Sequence, residues 1–144
     1  MAGPFIQDRD DSRRYFLSVW EKYKTGTVLE PMENMVLQVI LEHPEYHDYL
    51  DKGEAALAQE FTPESGMSNP FLHMGMHIAI REQVSTDRPP GIRSLHKQLA
   101  RKMNSALEAE HQMLDCLGEV LWRAQREQAI PDEADYLEKI KRLL

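Results

Sequence analysis

One cysteine, Cys116, in 144 residues excludes an intramolecular disulfide and any cysteine-rich zinc module. A lone thiol fits a reducing compartment, so the expected location is cytoplasmic. No window approaches the roughly 18 consecutive apolar residues of a membrane span, and the opening MAGPFIQDRDDSRR has no apolar stretch of the kind a secretory signal needs. Basic residues are also in short supply. Lys and Arg number 17 against 24 Asp and Glu, a net charge of −7, with no long basic block. That balance argues against nucleic acid and anionic membranes as partners. The chain holds no Gly-x-Gly-x-x-Gly, no Gly-x-x-x-x-Gly-Lys and no Gly-x-Ser-x-Gly, so nucleotide chemistry and serine hydrolysis have no support and no nucleotide cofactor is expected. Alternating apolar and polar positions, the mark of a half-buried strand, are almost absent.

What is present is helical periodicity. The length suits one domain, read as residues 1–144 with a polar, poorly ordered tail over 1–10. The class is all-α, a compact bundle of five or six helices. Asp11 or Ser12 caps a first helix whose Tyr15, Phe16, Val19, Trp20 and Tyr23 share one side, and Gly26 ends it. Pro31 opens a second helix with a stripe of Met32, Met35, Val36, Val39 and Ile40. Pro44 stops or kinks that helix, and a short new turn runs over 44–50. Residues 51–68 read as loop with one short helix. Asn69-Pro70 starts a helix to about Val84, and Asp87-Arg88-Pro89-Pro90-Gly91 is a stiff connection. The last of these could alternatively offer an anion site at the head of the next helix. From Ile92 to about Gln128 the pattern gives one helix, or two broken near Met103-Asn104. A final helix starts at Pro131-Asp132-Glu133.

Five of the six histidines form a pattern: His43 and His47, His73 and His77, then His111. A spacing of four residues on a continuous helix stacks two imidazoles on one face, close enough to share a metal ion. On the wheel, His73 and His77 fall beside Ile80 and Val84, while Phe71, Leu72, Met74, Met76, Ile78 and Ala79 cover most of the rest. The pair therefore points inward, where unpartnered ring nitrogens would cost about 1 to 3 kcal/mol each. His43 falls on the apolar stripe of its own helix. His111 lies at the edge of a core face read as Leu107, Leu114, Leu117 and Leu121, and Glu108-x-x-His111 has the spacing by which helical metal sites present a carboxylate and an imidazole. His96 sits on a basic face and reads as surface.

Three of these rings are thus aimed inward by separate periodicity arguments. The reading is one divalent transition metal, zinc or iron first, held by three or four of His43, His47, His73, His77 and His111 with Glu108, and with Asp115 and Tyr46 orienting the ligands from behind. The alternative is an interaction module without enzymatic activity, its histidines satisfied in a buried polar network with Tyr46, Asn69 and Glu108 and no metal bound. A homodimer burying the final helix is a third reading. The segment His43-Pro44-Glu45-Tyr46-His47 is no zinc-protease motif, since its glutamate is misplaced and a proline interrupts the helix. The eight methionines are core filler, and Trp20 and Trp122 are core or groove aromatics. Cys116 has no activating base near it in the sequence pattern.

Across nearly its whole length the chain resembles the bacterial family known as domain of unknown function 1841. The residues that carry the likeness are Glu42-His43-Pro44-Glu45-Tyr46-His47, the block from Asn69 to Gln83, Asp87-Arg88-Pro89-Pro90-Gly91-Ile92-Arg93 and the His111 helix. The resemblance brings no activity with it. His73 and His77 are also similar to the His-x-x-x-His element of hemerythrin-like four-helix bundles, which implies a metal between helices. His47 stands where that group has a glutamate, His111 to Asp115 is one residue short, and the first helix has no histidine. The departures favour a single ion over a di-iron centre.

Overall fold

The computed structural model describes residues 9–57 and 69–144. The described residues are helical without a strand, as seven α-helices and two 3-10 turns. The all-α expectation holds, and the count exceeds five or six because the 92–128 stretch divides and a five-residue helix follows Pro44. By contacts the chain forms two compact units, Met1–Ile78 and Ala79–Leu144. Their boundary falls inside one continuous helix. Among the described residues, none of the helices is long and apolar enough to cross a membrane.

The first unit contains α1 (Arg9–Thr25), α2 (Pro31–Leu41), a 3-10 turn (Pro44–Tyr46), α3 (His47–Asp51), a second 3-10 turn (Gly53–Leu57) and the opening of α4 (Pro70–Thr86). The first helix begins before the expected Asp11 or Ser12. It ends at Gly26, whose φ of +74° is the left-handed conformation that glycine adopts without strain. At the head of α2, Pro31 fills the first helical position and Glu33 Oε1 accepts a hydrogen bond from Glu30 N at 2.9 Å. Phe16, Val19 and Trp20 of α1 pack with Val36, Val39 and Ile40 of α2 and with Phe71, Met74 and Ile78 of α4. Arg13 is buried with them. Its Nη1 donates to the carbonyls of Ala56 and Leu57 at 2.9 and 3.2 Å, and its guanidinium lies over the Phe71 ring. The helical patch expected within 51–68 appears as the Gly53–Leu57 turn, and the remainder of that stretch lies outside the described residues.

The second unit contains the rest of α4, α5 (Ile92–Met103), α6 (Ala106–Glu127) and α7 (Glu133–Lys141). The expected break is real: Asn104, at φ +54°, ends α5, and Ser105 Oγ accepts from Glu108 N to cap α6. Asp132 is the cap of α7 rather than a residue of its first turn. Asp87 Oδ1 accepts from the backbone N–H groups of Gly91 and Arg93, and the Arg93 side chain donates to the carbonyls of Val84 and Ser85. The protein's own carboxylate thus takes the donors an anion would use, and 87–93 is a helix connector. Tyr136 donates its O–H to Gln83 Oε1 at 2.7 Å, and burial raises its phenol pKa.

Two tests follow from these contacts. Trp20 Nε1 donates to Asp51 Oδ1 at 2.8 Å and Lys24 reaches the same oxygen at 3.2 Å, which together hold the Asp51 carboxyl below the usual carboxylate range. A carboxylate depressed in the folded state adds stability above its unfolded pKa of about 4 and loses it as pH falls through the lower folded value. Asp51→Asn is therefore expected to be less stable at neutral pH and to lose less stability on acidification, read by urea titration at several pH values. The second test concerns α4, which neither unit retains whole without the other. The unsubstituted protein is expected to unfold in urea with coincident midpoints by tryptophan fluorescence and far-UV circular dichroism, and two separated midpoints would contradict a single domain.

Candidate metal centre

The site is built from the end of one helix and the start of another. A helix leaves its last carbonyl groups without helical partners. In α2 the proline at 44 forbids continuation, because its ring would meet the Ile40 carbonyl and it has no N–H to donate. His43, the residue before proline, turns out of the helix at φ −128° and ψ 64°. Its ring then folds back, and Nδ1–H donates to the Val39 carbonyl at 2.7 Å. His47, one turn further, donates from Nε2 to the Ile40 carbonyl at 2.9 Å. A carbonyl only accepts, so these bonds fix both tautomers: the proton of His43 is on Nδ1 and that of His47 on Nε2. His43 is 3 % exposed.

The second contribution comes from α4. Asn69 Oδ1 accepts from Phe71 N at 3.0 Å and Leu72 N at 3.2 Å, and Pro70 occupies the first helical position, so this helix start is fixed by two side chains. His73 and His77 lie one turn apart on the face turned toward the core of the first unit. His77 is fully buried and His73 half-buried. The apolar wrap read around them is incomplete on the opposite face, where Leu72 is 63 % exposed.

The three rings converge. Ring centroids of His43 and His73 are 5.1 Å apart, those of His43 and His77 4.8 Å, and those of His73 and His77 4.7 Å, with interplanar angles of 78°, 56° and 72°. Tilts that large set edges rather than faces against each other. One ring nitrogen from each lies within 4.8 Å of the others. The Nε2 atoms of His73 and His77 are 3.1 Å apart. A tetrahedral ion with ligands at about 2.0 to 2.1 Å would hold two nitrogens about 3.3 Å apart, so this pair already stands near ligand spacing. The same separation serves an N–H···N hydrogen bond when one ring carries the Nε2 proton. Tyr46 stacks on His43 with centroids 5.5 Å apart and planes 4° from parallel, and burial and the Glu45 charge raise its phenol pKa.

The other residues read from the sequence are placed differently. His47 is occupied by the Ile40 carbonyl and packs on the Trp20 ring at 4.5 Å, outside the group of converging nitrogens. His111 is half-buried on α6 of the second unit. Glu108 is exposed in the first turn of α6 and Asp115 is exposed one turn beyond His111. The reason is the phase of α6. Its buried face is Ala109, Glu110, Met113, Cys116, Leu117, Val120 and Ala124, turned by roughly 80° on the wheel from the expected leucine face at 100° per residue. Leu121 is left 41 % exposed and Trp122 59 %. The same rotation turns in a carboxylate that sequence reasoning missed. Glu110 is buried, and Arg81 Nε donates to both its oxygens at 3.1 and 3.0 Å. His96 is half-buried rather than a surface residue. Burial, then the charges of Glu119 and Asp115, raise the Cys116 pKa, which keeps the thiol protonated and a poor nucleophile.

The chain belongs to the family DUF1841, a domain of unknown function, which matches residues 8–142. No curated protein and no solved structure matches it. The likeness to hemerythrin-like bundles therefore stays with the spacing of His73 and His77.

His43 supports the fold independently of any ion. His43→Ala leaves the Val39 carbonyl without its ring donor and is expected to cost about 1 to 3 kcal/mol in metal-free protein, seen as a lower urea midpoint. An unchanged midpoint would remove the capping role.

Proposed function

We propose that this DUF1841 protein binds one divalent transition metal ion through the imidazoles of His43, His73 and His77. The observation that carries the reading is the convergence of three steeply tilted rings, two of them buried, with one nitrogen of each within 4.8 Å of the others. The His43 ring suits the role, since its Nδ1 is tied to a backbone carbonyl, the arrangement by which metal-bound histidines are oriented. Tyr46 steadies the same ring by stacking. His47, Glu108 and Asp115 fall outside this ligand set. An all-imidazole set suits zinc, iron, nickel and copper.

A second reading is favoured by the hydrogen bonds of His43 and His47 to the end of α2: the histidines are structural, and the protein is a helical interaction module without metal. Elemental analysis separates the two. Protein prepared without a His-tag or added metal is expected to carry close to one transition metal per chain. His73→Ala and His77→Ala are expected to lower that content at least about tenfold, while His47→Ala keeps it. Absence of metal from the unmodified protein even after reconstitution would leave the structural reading.

A further inference from the structure

We propose that the second unit pairs with a second copy of itself, the basic outer face of α5 in one chain meeting the acidic groove between α6 and α7 in the other. Charge is unevenly placed along this chain. Between Asp87 and Glu108 there are five Lys or Arg and no acid, whereas from Glu127 to Glu138 there are five acids and no Lys or Arg. The net charge of −7 therefore conceals two regions of opposite sign, and both belong to one unit.

The basic region is arranged by α5. That helix buries Ile92, Leu95 and Leu99. At 100° per residue Arg93, Lys97 and Arg101 fall within about 80° of one another on the opposite side, and all three are exposed. Arg93 donates to the carbonyls of Val84 and Ser85, which are neutral and leave its charge in place. The apolar side of α5 is used inside the unit, so the helix has none to insert into a bilayer, and its outer face suits a protein surface.

The acidic region has a shape to match. A groove of about 220 Å³ lies between the end of α6 and the start of α7, lined by buried Val120 and Ala124 and by Ile130, Glu127 and Asp132. Ile130 is 90 % exposed. Glu127 is the last residue of α6, the end at which the helix dipole disfavours an acid, so the stability of its own helix does not account for it. Long basic side chains suit such a groove, because their carbon stems cover apolar surface while their charged ends reach the acidic rim. The two regions together favour a second copy as the occupant: a two-fold pair makes each contact twice and leaves neither face unmatched. The pairing does not depend on the metal centre.

Sedimentation of the full chain at low ionic strength is expected to show a dimer forming at roughly ten micromolar, and about 0.5 M salt is expected to weaken it at least about tenfold, since the matched charges are exposed. Lys97→Glu with Arg101→Glu is expected to give monomer, and so is Glu127→Lys with Glu133→Lys, both checked for an unchanged circular dichroism spectrum. The first pair makes the chain more acidic and the second less so, which excludes overall repulsion as the cause of both losses. Mixing the two variants is expected to restore a dimer, because each reversed face then meets its complement. Ile130→Ser, which leaves the charges alone, is expected to weaken pairing by about tenfold. Unmodified protein that stays monomeric at roughly a hundred micromolar and low salt would overturn the proposal. A dimer that survives both reversals, or two folded variants that remain apart when mixed, would overturn it as well.

Discussion

A helix that stops inside a protein must find donors for its last carbonyl groups, and in the first unit histidine rings supply them. Pro44 ends α2, and the freed carbonyls of Val39 and Ile40 are met by His43 and His47. Much follows from that constraint. The hydrogen bond to the Val39 carbonyl places a proton on Nδ1 of His43 and holds the ring in its orientation beside the rings of α4. It also draws His47 away from the cluster, although the two histidines are four residues apart, because the break at Pro44 destroys the helical register that would have stacked them. The pair with unbroken register, His73 and His77, does meet. Identical spacing thus gives opposite outcomes, decided by one proline.

The charge pattern is as consequential as the geometry. Among the described residues, the buried acids are matched to cations: Glu33 to Lys22 and Glu110 to Arg81. Among the described residues, the ligand atoms that converge in the first unit all belong to histidines. Nδ1 of His43 meets the Val39 carbonyl, and Nε2 of His73 and Nε2 of His77 stand 3.1 Å apart. The burial that makes the cluster well ordered is the same burial that makes its charge balance matter.

Much of the fold was legible. Pro31, Asn69-Pro70, Gly26 and the Met103-Asn104 junction each mark a helix end through local chemistry, namely a fixed φ, a capping side chain or a left-handed residue, and these effects reach only a few residues along the chain. The inward direction of His43 and His77 was legible too, because α2 and α4 have wide apolar faces that leave little choice of phase. α6 was not. Its leucines and its alanine and methionine positions define two overlapping stripes, and the leucine stripe is the more hydrophobic one on paper. The structure buries the other, which includes Ala109, Met113, Val120 and Ala124. With the phase misjudged by roughly 80°, the carboxylates beside His111, Glu108 and Asp115, are singled out from the sequence and Glu110 is overlooked.

Residue identity and spacing alone therefore determined an all-α chain, the places where its helices begin and end, and a concentration of imidazoles that a helical register could bring together. Those properties depend on local backbone preferences and on a period of 3.6 residues. Tertiary structure decided which rings meet, which face of α6 is buried and which carboxylate is taken inside with an arginine. Such choices are settled by packing and by the satisfaction of buried polar groups across segments far apart in the chain, and a single stretch of sequence carries no record of the neighbour that makes the difference.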